Sequence, residues 1–175
     1  MSSYGNAAKF PELFEQISGA NSDEAMKALG VLSGEIEHQA TLWPCTPFAS
    51  IFLVRRLKEL ASQPESDSKN KLQCGILDIL RDIAEACAYA LKWQHADPLP
   101  CFSDLLDEKY LLPADVQSED VYMLIEDGVD FSDEQFFSFY FYSLEVLKAA
   151  AAECSGFPEH MTAGFFEGLN QCDVN

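Results

Sequence analysis

Between residues 69 and 93 the chain carries Leu72, Ile76, Ile79, Leu80, Ile83, Cys87, Ala90 and Leu91 at three-to-four spacing. That spacing brings each side chain back to one side of a helix, so the stretch predicts a long amphipathic helix. Asp78, Arg81, Asp82 and Glu85 fall off the stripe. The apolar band is wide enough to pack against two neighbours rather than one.

The surrounding sequence supplies further helices. Pro11 suits the first turn of a short helix opened by Phe10, with Leu13, Phe14 and Ile17 on its apolar side. A second helix starts near Asn21 or Ser22, with Asp23 and Glu24 at its positive end and Ala25, Met26, Leu29 and Leu32 apolar. Thr46 is read as the cap of a third helix, followed by Pro47 at its first position and by Phe48, Ile51, Val54, Leu57 and Leu60. Gln63 to Ser68 reads as a polar loop, so the third and fourth helices should form an αα-hairpin. Pro98, Pro100 and Pro113 make 95–113 a long connection with at most a short helix over Phe102–Leu106. Ser118 would cap a short helix through Ile125, which Gly128 ends. Ser132 and Gln135 fit a capping box for a helix over 133–153, stopped by Gly156 and Pro158. Its six aromatics between Phe136 and Tyr142 cannot share one face, which points to a central helix or one facing a partner. A last helix covers 159–171. Strand signals are poor. The fold class expected is all-α, built from antiparallel helical hairpins. One domain spans 1–175, with a helical-hairpin part over 10–97 and an acidic, aromatic-rich part over 98–175.

Apolar residues make up 48% of the 175, enough for a sizeable core. Charge is less ordinary: 29 acidic residues face 11 basic ones, a formal net charge of −18. The imbalance is concentrated, with 16 acidic and 2 basic side chains in 98–175, and eleven carboxylates and Lys109 alone in 104–134. Nucleic-acid binding needs cations to displace counterions, and anionic membranes attract basic segments, so neither is an expected partner. Met1 to Asn6 carries no positive cluster or apolar core, so no signal peptide is expected and a cytoplasmic location is. The six cysteines include no C-x-x-C pair and are read as reduced thiols; Cys74 and Cys87 share the helical pattern, where a thiol acts as a small hydrophobe.

The segment His38-Gln39-Ala40-Thr41-Leu42-Trp43-Pro44-Cys45-Thr46-Pro47-Phe48-Ala49, followed by Phe52-Leu53-Val54-Arg55-Arg56-Leu57, resembles a helical-hairpin unit of bacterial HEAT-like repeat proteins. Ile76-Leu77-Asp78-Ile79-Leu80-Arg81-Asp82-Ile83-Ala84 resembles that unit's second helix. The likeness covers about 38–93. Ala40 stands where the family often has glycine, and no regular repeat is visible beyond the hairpin. The resemblance implies either a HEAT-like arrangement or an irregular helical bundle. It also implies an immunity protein of a toxin–immunity system, of the contact-dependent inhibition or type VI secretion kind, which binds one cognate toxin domain.

Electrostatics is compatible with that role. A nuclease toxin must be basic to hold phosphates, and an acidic inhibitor is its complement. The expected toxin-binding surface comprises Asp104, Asp107, Glu108, Asp115, Glu119, Asp120, Glu126, Asp127, Asp130, Asp133 and Glu134, with Tyr110, Tyr122 and Phe131 as aromatic anchors. The competing reading of the charge is a face kept for solubility, and the competing function is an adaptor or chaperone-like scaffold for a secreted effector. Catalysis, cofactors and metals are not expected. His38, His95 and His160 lack metal-ligand spacing, Asp127, Asp130 and Asp133 lack the alternation and terminal glutamate of a calcium loop, and no glycine-rich phosphate loop occurs.

Overall fold

Pro11 opens the first helix, α1 (Phe10–Ser18), and Phe10, Leu13 and Ile17 are its buried side. The structure, a computed structural model, describes residues 7–19, 21–92, 96–107 and 132–172. The second helix, α2 (Ser22–Ile36), begins where the Asn21 side chain accepts hydrogen bonds from the Asp23 and Glu24 amides. Two short antiparallel strands follow, β1 (Glu37–His38) and β2 (Thr41–Leu42), paired Glu37 to Leu42 and His38 to Thr41. Then come α3 (Thr46–Ala61) and α4 (Asp67–Leu91). A 3₁₀ turn covers Phe102–Leu106, and α5 (Asp133–Cys154) and α6 (Glu159–Cys172) complete the described chain. The all-α class is thus observed, with the hairpin as a minor addition.

Two boundaries differ from the sequence reading. Thr46 lies inside α3 and does not cap it: Cys45 holds the cap position, and its side chain accepts no bond from the first helical amides. The Thr46 hydroxyl instead accepts from the Trp43 amide at 2.9 Å and donates to the Ile36 carbonyl, tying the end of α2 to the start of α3. In the expected polar loop, Ser66 is a cap: its hydroxyl accepts from the Lys69 amide at 3.2 Å, so α4 starts at Asp67. At α5 the expected Ser132 cap is present, accepting from the Gln135 amide at 3.2 Å. The helix expected over Ser118–Ile125 lies outside the described residues.

The core is organised around α4. Ile76, Leu80, Ile83 and Cys87 are fully enclosed, and burial spreads right round the helix to Leu77, Ala84, Ala86 and Ala88. It packs against α2, α3, α5 and α6, which is why its apolar band is so wide. Its most extensive partner is α6, whereas α3 packs mainly on α5. The expected α3–α4 hairpin is therefore present in sequence order but is not the main packing unit. Exchange of partners over long sequence separations makes this an irregular bundle; in a stacked repeat each unit contacts only its neighbours.

Polar side chains stitch the periphery. Arg56, 7% exposed, donates from Nε to the Ile17 carbonyl at 3.2 Å, so α3 satisfies a free carbonyl in the last turn of α1. Phe14 of α1 stacks on Phe52 of α3 at 3.8 Å. Lys9 pairs with the buried Glu35 carboxylate. Tyr142 donates to the Leu99 carbonyl at 2.6 Å, and Phe102 packs between Phe48 and Tyr142, which fastens the 3₁₀ turn to α3 and α5.

Candidate functional site

The β-hairpin forms one wall of a depression on the surface. Its strands are joined by Gln39 and Ala40, both at positive φ, 54° and 60°. A two-residue connection of this kind suits glycine or asparagine, because a Cβ crowds the backbone there. The bend is held from below. The Tyr140 hydroxyl accepts from the Leu42 amide at 3.3 Å and donates to the Ala40 carbonyl at 3.4 Å, and Glu37 accepts from the Ala40 amide at 2.8 Å. Burial raises the Tyr140 pKa, so its proton stays in place for that second bond.

Beside the bend lies a groove of about 380 Å³, lined by Gln39, Ala40, Thr41, Tyr89, Ala90, Phe136, Phe137 and Tyr140. Tyr89 is 59% exposed and Phe136 39%, two of the four large hydrophobic side chains most open to water among the described residues. Phe136 also packs on Tyr140, ring centres 5.3 Å apart, so it is presented on a fixed support. The groove thus joins residues 39–41 to the aromatic run of α5. Both stretches stand out in the sequence, but the contact between them depends on how α5 docks beside α4.

Other depressions are less suited to binding. One of about 520 Å³ follows the outer flank of α6 along Glu159, Phe166 and Asn170, but its buried polar residue, Thr162, already donates to the Pro158 carbonyl just before the helix. A third, of about 300 Å³, lies between the α3–α4 and α5–α6 connections. There the buried Lys69 ammonium donates to the Gln63 carbonyl and the Glu65 carboxylate, which explains it as a tie for the loop.

Of the residues expected to form the acidic surface, Asp104, Asp107, Asp133 and Glu134 are described. Glu108, Tyr110, Asp115, Glu119, Asp120, Tyr122, Glu126, Asp127, Asp130 and Phe131 lie outside the described residues. Asp104 accepts from the Cys101 amide at 3.0 Å and closes the 3₁₀ turn. Asp133 and Glu134 occupy the first turn of α5, where carboxylates complement the exposed amides of the helix end. Glu134 is held below the usual carboxylate range by its own backbone amide and by the Ser132 hydroxyl. Asp107 is exposed. Asp133 precedes Phe136 and Phe137 by three and four residues, so it stands one turn away on the groove side of α5. Glu37 belongs to the same hairpin, where its carboxylate holds the Ala40 amide. Glu85 precedes Tyr89 by one turn but its side chain reaches toward Arg81 and α6, and Lys92 follows Tyr89 by three residues.

Among the described residues no group of three or more His, Cys, Asp and Glu side chains is placed to hold a metal ion. No helix among them is long and apolar enough to cross a membrane. The six cysteines form no disulfide; Cys45, Cys87, Cys154 and Cys172 are buried, while Cys74, read from the sequence as a small hydrophobe, is exposed like Cys101.

The fold and the groove define an all-α helical bundle with an aromatic recess beside a strained hairpin. Comparison with protein-family models, curated proteins and solved structures finds no match to this chain.

Proposed function

We propose that this chain is an immunity-type protein that binds a cognate cationic toxin domain, a nuclease being the leading case, and neutralises it in the cytoplasm by occupying its substrate-binding face. It acts as a stoichiometric binder, not as an enzyme. The observation that carries this reading is the charge distribution: 16 acidic and 2 basic side chains over 98–175 within a chain of net charge −18. A toxin surface built to hold phosphates is attracted to such a field, and steering can raise association toward about 10⁸–10⁹ M⁻¹s⁻¹ at low salt. Speed matters to an inhibitor that competes with substrate. The likeness of residues 38–93 to HEAT-like immunity proteins supports the same role.

The test is co-expression with the toxin encoded by the neighbouring gene. Rescue of growth and a co-eluting complex on gel filtration are expected. Loss of either overturns the proposal. A catalytically inactive toxin separates this reading from an adaptor: its export should proceed without this protein, whereas an adaptor would still be required.

A further inference from the structure

We infer that the groove between the β-hairpin, α4 and α5 is where the cationic partner is gripped, by insertion of an apolar side chain carried on a lysine- or arginine-rich segment. The inference rests on the proposed function and supplies its short-range component. Long-range attraction sets how fast two proteins meet; a buried aromatic or aliphatic anchor sets how long they stay. The groove beside the hairpin is suited to such an anchor. Tyr89 and Phe136 expose large aromatic surfaces at its rim, and Phe137 and Tyr140 form its buried wall. Exposed tyrosine and phenylalanine on rigid helices lose little entropy on contact, which is why such residues dominate tight interfaces.

The hairpin gives the second reason. Gln39 and Ala40 hold left-handed backbone that neither residue favours, and the Tyr140 hydroxyl and Glu37 carboxylate keep it there. Strain of this kind persists where the surrounding structure over-determines it, and it fixes the shape of the groove wall before any partner arrives. Charge selects the occupant. Among the described residues, Glu37 of the hairpin and Asp133 of α5 stand beside the lining, against Lys92 of α4. The half of the chain that supplies Phe136, Phe137 and Tyr140 is the strongly acidic one. An apolar cleft with an anionic rim accepts a hydrophobic residue between cations and repels the same residue between carboxylates.

The experiment uses the whole protein, isotope-labelled, and two short peptides as probes. One carries a central Phe-Leu pair between lysine pairs, the other the same pair between glutamates. The lysine peptide should shift the backbone signals of residues 39–41, 89–90 and 136–140 in a saturable way, and the glutamate peptide should not. Tyr89→Ala and Phe136→Ala, both at exposed positions and so compatible with folding, should each weaken binding about tenfold. Equal response to both peptides, saturable shifts elsewhere, or unchanged affinity in both variants overturns the inference. Its failure is distinct from failure of the proposed function. Rescue of growth by both variants as by the parent removes the groove and leaves inhibition standing. Peptide seating without any rescue leaves a cationic-peptide groove in a protein of another role.

Discussion

Ala40 is the residue at which local preference and observed structure disagree most plainly. A left-handed alanine costs about 1 kcal/mol relative to glycine, part of which glycine returns through its freer unfolded state. Ala40→Gly should therefore raise stability by about 0.5–1 kcal/mol, read as a higher urea midpoint at unchanged slope; a lower midpoint would show the turn to be unstrained. Ser143 gives a second case. It is fully buried and its hydroxyl has no hydrogen-bond partner among the described residues. Leaving such a group unpaired costs about 1–3 kcal/mol, so Ser143→Ala should stabilise by about 1 kcal/mol in the same assay. The thiols divide by burial. Burial pushes Cys45 up to about 12 and Cys154 up to about 11. At about pH 8 a thiol reagent should modify Cys74 and Cys101 quickly and the buried four only on unfolding. For Cys45 the folded protein holds its proton more tightly than the unfolded chain does. That contribution to stability is complete below the unfolded value near 9 and is lost as pH rises toward 12. Cys45→Ala should flatten the alkaline decline in midpoint across that window. An unchanged decline would place the effect elsewhere.

At the level of elements, much of the fold was legible because helix ends announce themselves. Pro11, Asn21, Pro47 and Ser132 each lie at or within two residues of a helix start. Periodicity also located the apolar stripe of α4, from Leu72 to Cys87. The β-hairpin was not legible. Its strands are two residues each, too short to show alternation, and Gln39-Ala40 lacks the residues that signal such a turn. Nor could spacing show that α4 pairs chiefly with α6, since the reason lies in a contact across the bundle. A Cβ at Gly168 would stand 3.1 Å from the Ala84 Cβ and 3.4 Å from the Arg81 carbonyl oxygen, so this glycine lets the two helices approach. Gly168→Ala should push α6 outward and destabilise by about 1–3 kcal/mol. Gly30 in α2 is the counterexample: a Cβ there meets nothing within 4 Å. Gly30→Ala should stabilise by up to about 1 kcal/mol through helix propensity alone. Thermal melts of the pair must move in opposite directions. A rise in both would mean that α4 and α6 are not in close contact at Gly168, and a fall in both that Gly30 is not open to a side chain.

For the molecule as a whole, charge sets conditions that packing does not. With 29 carboxylates and 11 cations, most acidic groups have no basic side chain available to them. Surface pairs such as Lys58–Glu153 and Lys148–Glu145 are exposed and contribute little individually. Folding gathers this excess into a smaller volume, so self-repulsion opposes it. That cost is the physical argument against reading the acidity as neutral decoration, and it sets up two opposite responses to salt. Raising sodium chloride from about 20 mM to about 500 mM shortens the screening length several-fold. The urea midpoint of the isolated protein should therefore rise, while association with a cationic partner should slow and its on-rate lose most of its electrostatic enhancement. Stopped-flow association and equilibrium unfolding over one salt series measure both. A midpoint that falls would mean that internal ion pairs outweigh repulsion. An on-rate indifferent to salt would leave the excess negative charge without a role in recognition, and the aromatic groove would have to account for binding alone.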